Sequence, residues 1–184
     1  MAKDETRGSL MLKKLRLCGI IALLGTTTIL SLDYLTREYH ARVIEVTDGD
    51  TIKVKMGIIW TVVEKIRLVG LDTPETKAPG IGVQCFGPEA SAKSKELLHG
   101  KVVRLESDSA LENRDKYNRL LRYVHRYGDK LSINEELIKN GFGREATYDK
   151  KYKYQKDFRA SEDSAYDKKL GLWGECSNYK KKRK

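Results

Sequence analysis

The chain has 184 residues, of which 40% are hydrophobic and 34% are charged, and its formal net charge is +10. This length and composition fit one globular domain with appended segments, and they exclude a domain too small to fold without disulfides or metals. Residues 41–176 contain 25 Lys and Arg against 22 Asp and Glu, so most of the net positive charge lies at the two ends. The net charge therefore gives no evidence that the central part binds nucleic acid.

The N-terminal segment, residues 1–40, differs in composition from the rest. Lys13, Lys14 and Arg16 precede an uncharged run, residues 17–32, that is shorter than the roughly 20 apolar residues of a transmembrane helix. Three interpretations stay open: a retained signal anchor, a cleaved signal peptide, and a buried helix. Because the basic residues precede the run, the positive-inside rule predicts that the following domain lies outside the cytoplasm, either membrane-anchored or secreted.

Residues 41–71 are rich in Val and Ile and alternate between apolar and polar side chains. This pattern predicts three antiparallel strands. The first two meet at Asp48-Gly49, which is a strong hairpin signal. The third is expected to begin near Trp60, after Gly57.

The following segments predict three helices and two more strands. Within residues 87–100, Pro88 at a first helical position and Gly100 just past the end favour a helix. Residues 101–107 and 119–126 are typical of strands. Ser132 and Glu135 have capping-box spacing at the start of a short helix, which ends at Gly141.

A longer amphipathic helix is predicted over residues 154–170, ended by Gly171. Five strands with about three helices predict an α+β fold, built on a five-stranded barrel of the oligonucleotide-binding (OB) type. We therefore expect three parts: the N-terminal segment 1–40, a domain over residues 41–176, and a basic tail over residues 177–184.

Charged residues cluster at the predicted strand ends. Asp48 and Asp50 lie at the first hairpin, Arg67 lies on the third strand, and Asp72 and Glu75 follow it. Taken singly, such residues are typical of turns, cross-strand pairs and solvated loops. Together with the arginines before the last strand, they supply the hard oxygen ligands and guanidiniums needed to hold a divalent cation against a phosphodiester.

Four sequence blocks occur in the order typical of one family. They are DGDT (48–51), IRLVGLDTPET (66–76), FGPEAS (86–91) and RDKYNRLL (114–121). Over residues 41–176 the chain thereby resembles the staphylococcal nuclease (thermonuclease) family. The resemblance implies an OB barrel and calcium-dependent cleavage of DNA and RNA that leaves 3′-phosphate ends.

The resemblance also implies roles for individual residues. Asp50 and Asp72 match the calcium carboxylates, and Thr73 matches the residue that contributes its backbone carbonyl. Glu75 matches the general base. Arg67 and Arg119 match the two arginines that bind the phosphate, and Lys116 and Tyr117 match positions that line the nucleotide pocket.

Two positions depart from the family pattern. Asn118 stands where the family commonly has Gly, and Asn is the residue other than Gly that best tolerates a positive φ. Thr147 occupies the position of an aromatic residue that often stacks on the nucleotide. Tyr148, one residue beyond, is the candidate substrate-binding aromatic in its place.

Cys85 and Cys176 both lie in the predicted domain, and neither has the spacing of a zinc site. If the domain is exported, a disulfide between them is expected. We expect the protein to act as a monomer on DNA and RNA, with membrane contact through an uncleaved N-terminal segment. Two other classes stay open: a binding module on the same barrel without catalysis, and a basic membrane-surface protein.

Overall fold

A computed structural model describes residues 39–57, 61–76, 80, 82–148, 150–177 and 179–181. The predicted N-terminal anchor or signal lies outside the described residues, as does Trp60 at the predicted start of the third strand. Within the described ranges, no helix combines the length and apolar character needed to cross a membrane.

The described residues form seven strands and four helices. The strands are β1 (Tyr39–Asp48), β2 (Thr51–Met56), β3 (Val62–Leu68), β4 (Leu71–Asp72), β5 (Val102–Glu106), β6 (Leu120–Arg126) and β7 (Arg144–Glu145). The helices are α1 (Gly87–Leu98), α2 (Ile133–Lys139), α3 (Gln155–Asp167) and α4 (Leu172–Glu175).

Five of these strands form a closed barrel in the order β1-β2-β3-β6-β5, which confirms the predicted five-stranded barrel. The β1–β2 hairpin turns between Asp48 and Thr51, as the Asp-Gly pair predicts. Strand β3 pairs in parallel with β6, and the remaining barrel pairs are antiparallel. Alternate residues such as Ile52, Val54 and Ile66 are fully buried in the barrel core, which explains the period-2 pattern.

The helices follow the predicted signals, with one difference in length. The Ser132 hydroxyl accepts a hydrogen bond from the Glu135 backbone N–H at 3.2 Å, so it caps α2 as predicted. Helix α3 ends at Asp167, earlier than predicted, because Lys169 adopts a left-handed conformation with φ 51°. Helix α4 was not predicted, since four residues are too few to show a helical period.

A two-stranded sheet outside the barrel pairs β4 with β7. Leu71 lies opposite Glu145, and Asp72 lies opposite Arg144. Gly143 allows this close approach: a Cβ there would lie 2.5 Å from Leu71 Cδ1 and 3.0 Å from the Asp72 carbonyl oxygen. The pairing therefore brings residues from the distant β7 segment beside the end of β3 and β4.

A disulfide joins Cys85, just before α1, to Cys176, just after α4, across a sequence separation of 91 residues. A bridge that closes so long a segment restricts the unfolded chain strongly. It also ties the C-terminal end of the described domain to the loop that follows β4.

Replacing Cys176 with serine is expected to lower the free energy of unfolding by about 2–5 kcal/mol, because the unfolded chain gains freedom. Urea unfolding followed by tyrosine and tryptophan fluorescence measures this change. Cys18→Ser is the matched control, since that cysteine lies outside residues 41–176. Equal stability of the Cys176→Ser variant and the unchanged chain would contradict the role of the bridge.

Candidate active site

A cavity of about 510 Å³ lies where β1 ends, β2 begins and β3 ends. Its wall carries both acids and arginines, which is the combination that the sequence predicts. The lining residues are Asp48, Asp50, Thr51, Lys65, Arg67, Asp72, Thr73, Glu75, Gln84, Tyr117, Arg119 and Arg144.

Arg67 connects the two carboxylates predicted to bind metal. Its guanidinium forms an ion pair with Asp50, and its Nη2 lies 3.6 Å from Asp72 Oδ1. The side chain is 10% exposed, so these charges interact with little screening by water. The β2–β3 pairing sets this geometry, because Arg67 lies opposite Thr51, directly after Asp50.

Thr73 lies against Asp50 in a closely packed position. Its backbone N–H donates to Asp50 Oδ2 at 3.3 Å, and its buried Oγ1 has no hydrogen-bond partner among the described residues. A Cβ added at Gly49 would lie 2.6 Å from this Oγ1, so only glycine fits there without displacing Thr73. The site thus contains two carboxylates and a buried hydroxyl oxygen that forms no hydrogen bond with any residue the structure describes.

These oxygen donors fit a calcium ion, which prefers carboxylates, carbonyls and water in a loose shell. Asp50, Asp72 and the backbone carbonyl of Thr73 would hold it. In the part of the chain that the structure describes, there is no group of three or more His, Cys, Asp or Glu side chains that could hold a metal ion. Because calcium takes about six to eight oxygen ligands, solvent or substrate oxygens would complete the shell.

The loop after β4 holds Glu75 through its backbone. The Glu75 N–H donates to Gln84 Oε1 at 2.8 Å, and the Gln84 N–H donates to the Glu75 carbonyl oxygen at 2.9 Å. Burial and a hydrogen bond with Glu75 raise the pKa of Asp48 above its usual range. A carboxyl able to keep its proton at a higher pH thus lies beside the predicted general base.

Arg119 enters the cavity from the turn before β6. Its Nε donates to Asp115 Oδ2 at 2.7 Å, and its Nη1 donates to Thr51 Oγ1 at 3.2 Å. Asn118, where the family commonly has Gly, has φ 62°, so this turn does need a residue that tolerates the left-handed region. The pairing of β3 with β6 places Leu120, the residue after Arg119, opposite Ile66, the residue before Arg67, so the two arginines lie close together.

The candidate substrate-binding residues lie around the cavity. Tyr117 lines it and is 67% exposed, with the Arg119 guanidinium 5.2 Å from its ring centre. Lys116 does not line the cavity, but its Nζ lies 5.1 Å from the Tyr117 ring centre. The Tyr148 hydroxyl accepts a hydrogen bond from Arg67 Nη2 at 2.9 Å, although the side chain is 62% exposed. Tyr148 therefore contacts the same arginine as the predicted metal ligands.

The sequence patterns predicted no individual role for five of the lining residues, which are Asp48, Thr51, Lys65, Gln84 and Arg144. Asp48 carries a usable signal, since it lies in the Asp-Gly-Asp hairpin beside Asp50. No local sequence pattern indicates a role for Arg144, because only the β4–β7 pairing brings it to Asp72.

Comparison with known proteins identifies the family. Residues 65–175 match the family model described as staphylococcal nuclease homologue. The chain is 35% identical over 168 residues to the thermonuclease of Staphylococcus hyicus, an alignment that covers 84% of this chain and 95% of that protein.

Two relatives from Bacillus subtilis (strain 168) are longer than the matched region. The chain is 43% identical over 127 residues to endonuclease YncB, covering 68% of this chain and 57% of the relative. It is 42% identical over 127 residues to the SPbeta prophage-derived endonuclease YokF, covering 68% of this chain and 41% of the relative. The chain thus spans about half the length of these two endonucleases. The family match and the thermonuclease alignment together confirm the resemblance: the chain belongs to the staphylococcal nuclease homologue family.

Proposed function

We propose that this protein is a calcium-dependent nuclease that hydrolyses phosphodiester bonds in DNA and RNA. The observation that carries the proposal is the convergence of Asp50, Arg67, Asp72, Glu75 and Arg119 on one cavity. A module that only binds nucleic acid has no chemical need for a base on the same cavity as two arginines. The printed names of the relatives, endonuclease and thermonuclease, agree with this activity.

In the proposed reaction, the arginines and Glu75 have different roles. Arg67 and Arg119 bind the phosphate oxygens, where planar guanidiniums donate paired hydrogen bonds as negative charge grows. Glu75 accepts a proton from the attacking water. We propose that the bond from phosphorus to the 5′ oxygen breaks, that this oxygen takes up a proton from solvent to leave as a hydroxyl, and that the phosphate stays on the 3′ end. When bound, calcium would add positive charge beside the phosphate.

Hydrolysis of single-stranded DNA is expected to require calcium in the millimolar range, because two carboxylates in a partly open site bind the ion weakly. The rate of release of acid-soluble nucleotides is measured with calcium and with excess chelator. Full activity in chelator would contradict the calcium requirement. DNA binding without cleavage in calcium would favour the alternative, a binding module without catalysis.

We also propose that the domain works outside the cytoplasm, either membrane-anchored or secreted. The Cys85–Cys176 disulfide supports this, since such bonds persist in oxidising compartments. Mass spectrometry of the protein from cells, with free thiols alkylated, tests the proposal. Two alkylated cysteines at these positions would contradict it.

A further inference from the structure

Arg144 lines the candidate active site but lies in none of the four sequence blocks that resemble the family. Its Nε donates to Asp72 Oδ2 at 2.9 Å, and its Nη2 contacts the same oxygen. The other carboxylate oxygen, Oδ1, lies 3.6 Å from Arg67 Nη2. The two oxygens of Asp72 therefore face different arginines, and one of them is fully engaged by Arg144.

The C-terminal segment helps to hold Arg144 in this position. The Tyr179 ring centre lies 5.5 Å from the Arg144 guanidinium carbon, within the range of a cation–π contact. Trp173 packs edge-on against Tyr179, with ring centres 5.6 Å apart. Between Asp72 and Tyr179, the Arg144 side chain is 16% exposed. The guanidinium is thus enclosed on both sides and has little freedom to turn away.

We propose that Arg144 is a positioning residue that weakens metal binding at Asp72 by engaging one of its two carboxylate oxygens. This rests on the proposed function, in which Asp72 is a calcium ligand. Calcium accepts a carboxylate through one oxygen or through both. With Oδ2 held by Arg144, Asp72 presents one oxygen to the ion. The positive charge of Arg144 also repels a cation bound to the same carboxylate.

The consequence is a site that exchanges calcium readily. A weakly held ion suits surroundings in which calcium is abundant, since proteins outside cells commonly bind it in the range of about 10⁻⁴–10⁻³ M. The pair formed by Arg144 and Tyr179, from β7 and the chain end, would set this affinity without contacting the ion.

Calcium titration calorimetry on the full chain tests the proposal. Arg144→Met keeps the length of the side chain and removes its charge, and we expect the dissociation constant for calcium to fall about tenfold. Arg126→Met is the matched control, because Arg126 pairs with Asp129 and Glu136 and does not line the cavity. Its calcium affinity is expected to stay within about twofold of the unchanged chain. Thermal unfolding without calcium verifies that both variants are folded.

Substitutions at Tyr179 provide a second, independent measurement. Tyr179→Ala removes the ring that holds Arg144, so calcium binding is expected to tighten by a smaller factor, about threefold. Tyr179→Phe keeps the ring and is expected to change nothing. In the Arg144→Met background, Tyr179→Ala is expected to have no further effect, because the two residues act through one contact.

The outcomes separate this proposal from the proposed function. Calcium binding by the unchanged chain, with equal or weaker binding by Arg144→Met, would overturn the role of Arg144 alone. If Arg144 has only a structural role, the Arg144→Met variant is expected to bind calcium as tightly as the unchanged chain or more weakly. If neither protein binds calcium, the calcium site and the role of Arg144 are both overturned. Full additivity of the Arg144 and Tyr179 effects would overturn the coupling between them.

Discussion

Replacing Glu75 with glutamine is expected to lower the turnover number about 100-fold or more, while calcium binding stays close to that of the unchanged chain. Glutamine keeps the shape of the side chain and one neutral oxygen, but it is too weak a base to accept the proton. The hydrogen bonds that the Glu75 backbone makes with Gln84 do not involve the Glu75 carboxylate, and a glutamine oxygen can still accept from the Thr76 N–H, so the loop is expected to keep its path.

The measurement is a set of cleavage rates across a range of calcium concentrations, beside a calorimetric isotherm for each variant. Asp72→Asn is the informative comparison, because loss of a charged ligand lowers calcium affinity and added calcium then restores part of the rate. Glu112→Gln, a substitution of the same kind at a side chain 81% exposed, is the control and should leave the rate unchanged. Full recovery of the Glu75→Gln rate at high calcium would show that Glu75 is a metal ligand and not the base.

The second large effect is expected at Arg119, where lysine should lower turnover at least about 100-fold although it keeps the positive charge. The guanidinium makes two directed contacts at once, to Asp115 and to Thr51, and has further N–H donors for a phosphate. An ammonium is a compact charge and does not reproduce this planar arrangement.

Arg126→Lys is the matched control for this substitution. Arg126 pairs with Asp129 and Glu136, and it does not line the cavity. Its replacement should therefore leave the turnover number near that of the unchanged chain. Single-turnover cleavage at saturating DNA separates the chemical step from binding. Similar losses in the two variants would contradict a specific phosphate contact by Arg119.

The barrel was predictable because its signals are local. The Asp48-Gly49 turn, the alternating strands and the Ser132 cap each depend on residues close together in the chain. The acids and arginines of the cavity, except Arg144, were indicated by their places at or near strand ends. Their individual roles are implied by family resemblance and stay predictions until the variants above are measured.

The β4–β7 pair and its consequences were not predictable. Two-residue strands have no period to detect, and Leu71–Asp72 and Arg144–Glu145 are far apart in sequence. The contact of Arg144 with Asp72 depends on that pairing, and the contact of Tyr179 with Arg144 depends on the path of the chain after Cys176. Such long-range contacts are created by the tertiary fold and have no signature in a local pattern.

The Cys85–Cys176 bridge affects whether the domain stays in one piece after a protease cuts its backbone. The acids Asp50, Asp72 and Glu75 precede the bridged segment, whereas Arg119 and Arg144 lie within it. A single cut in a surface loop between the two cysteines, such as the turn before β6, would leave both fragments covalently joined. The two halves of the cavity would thus stay part of one molecule after the backbone is nicked.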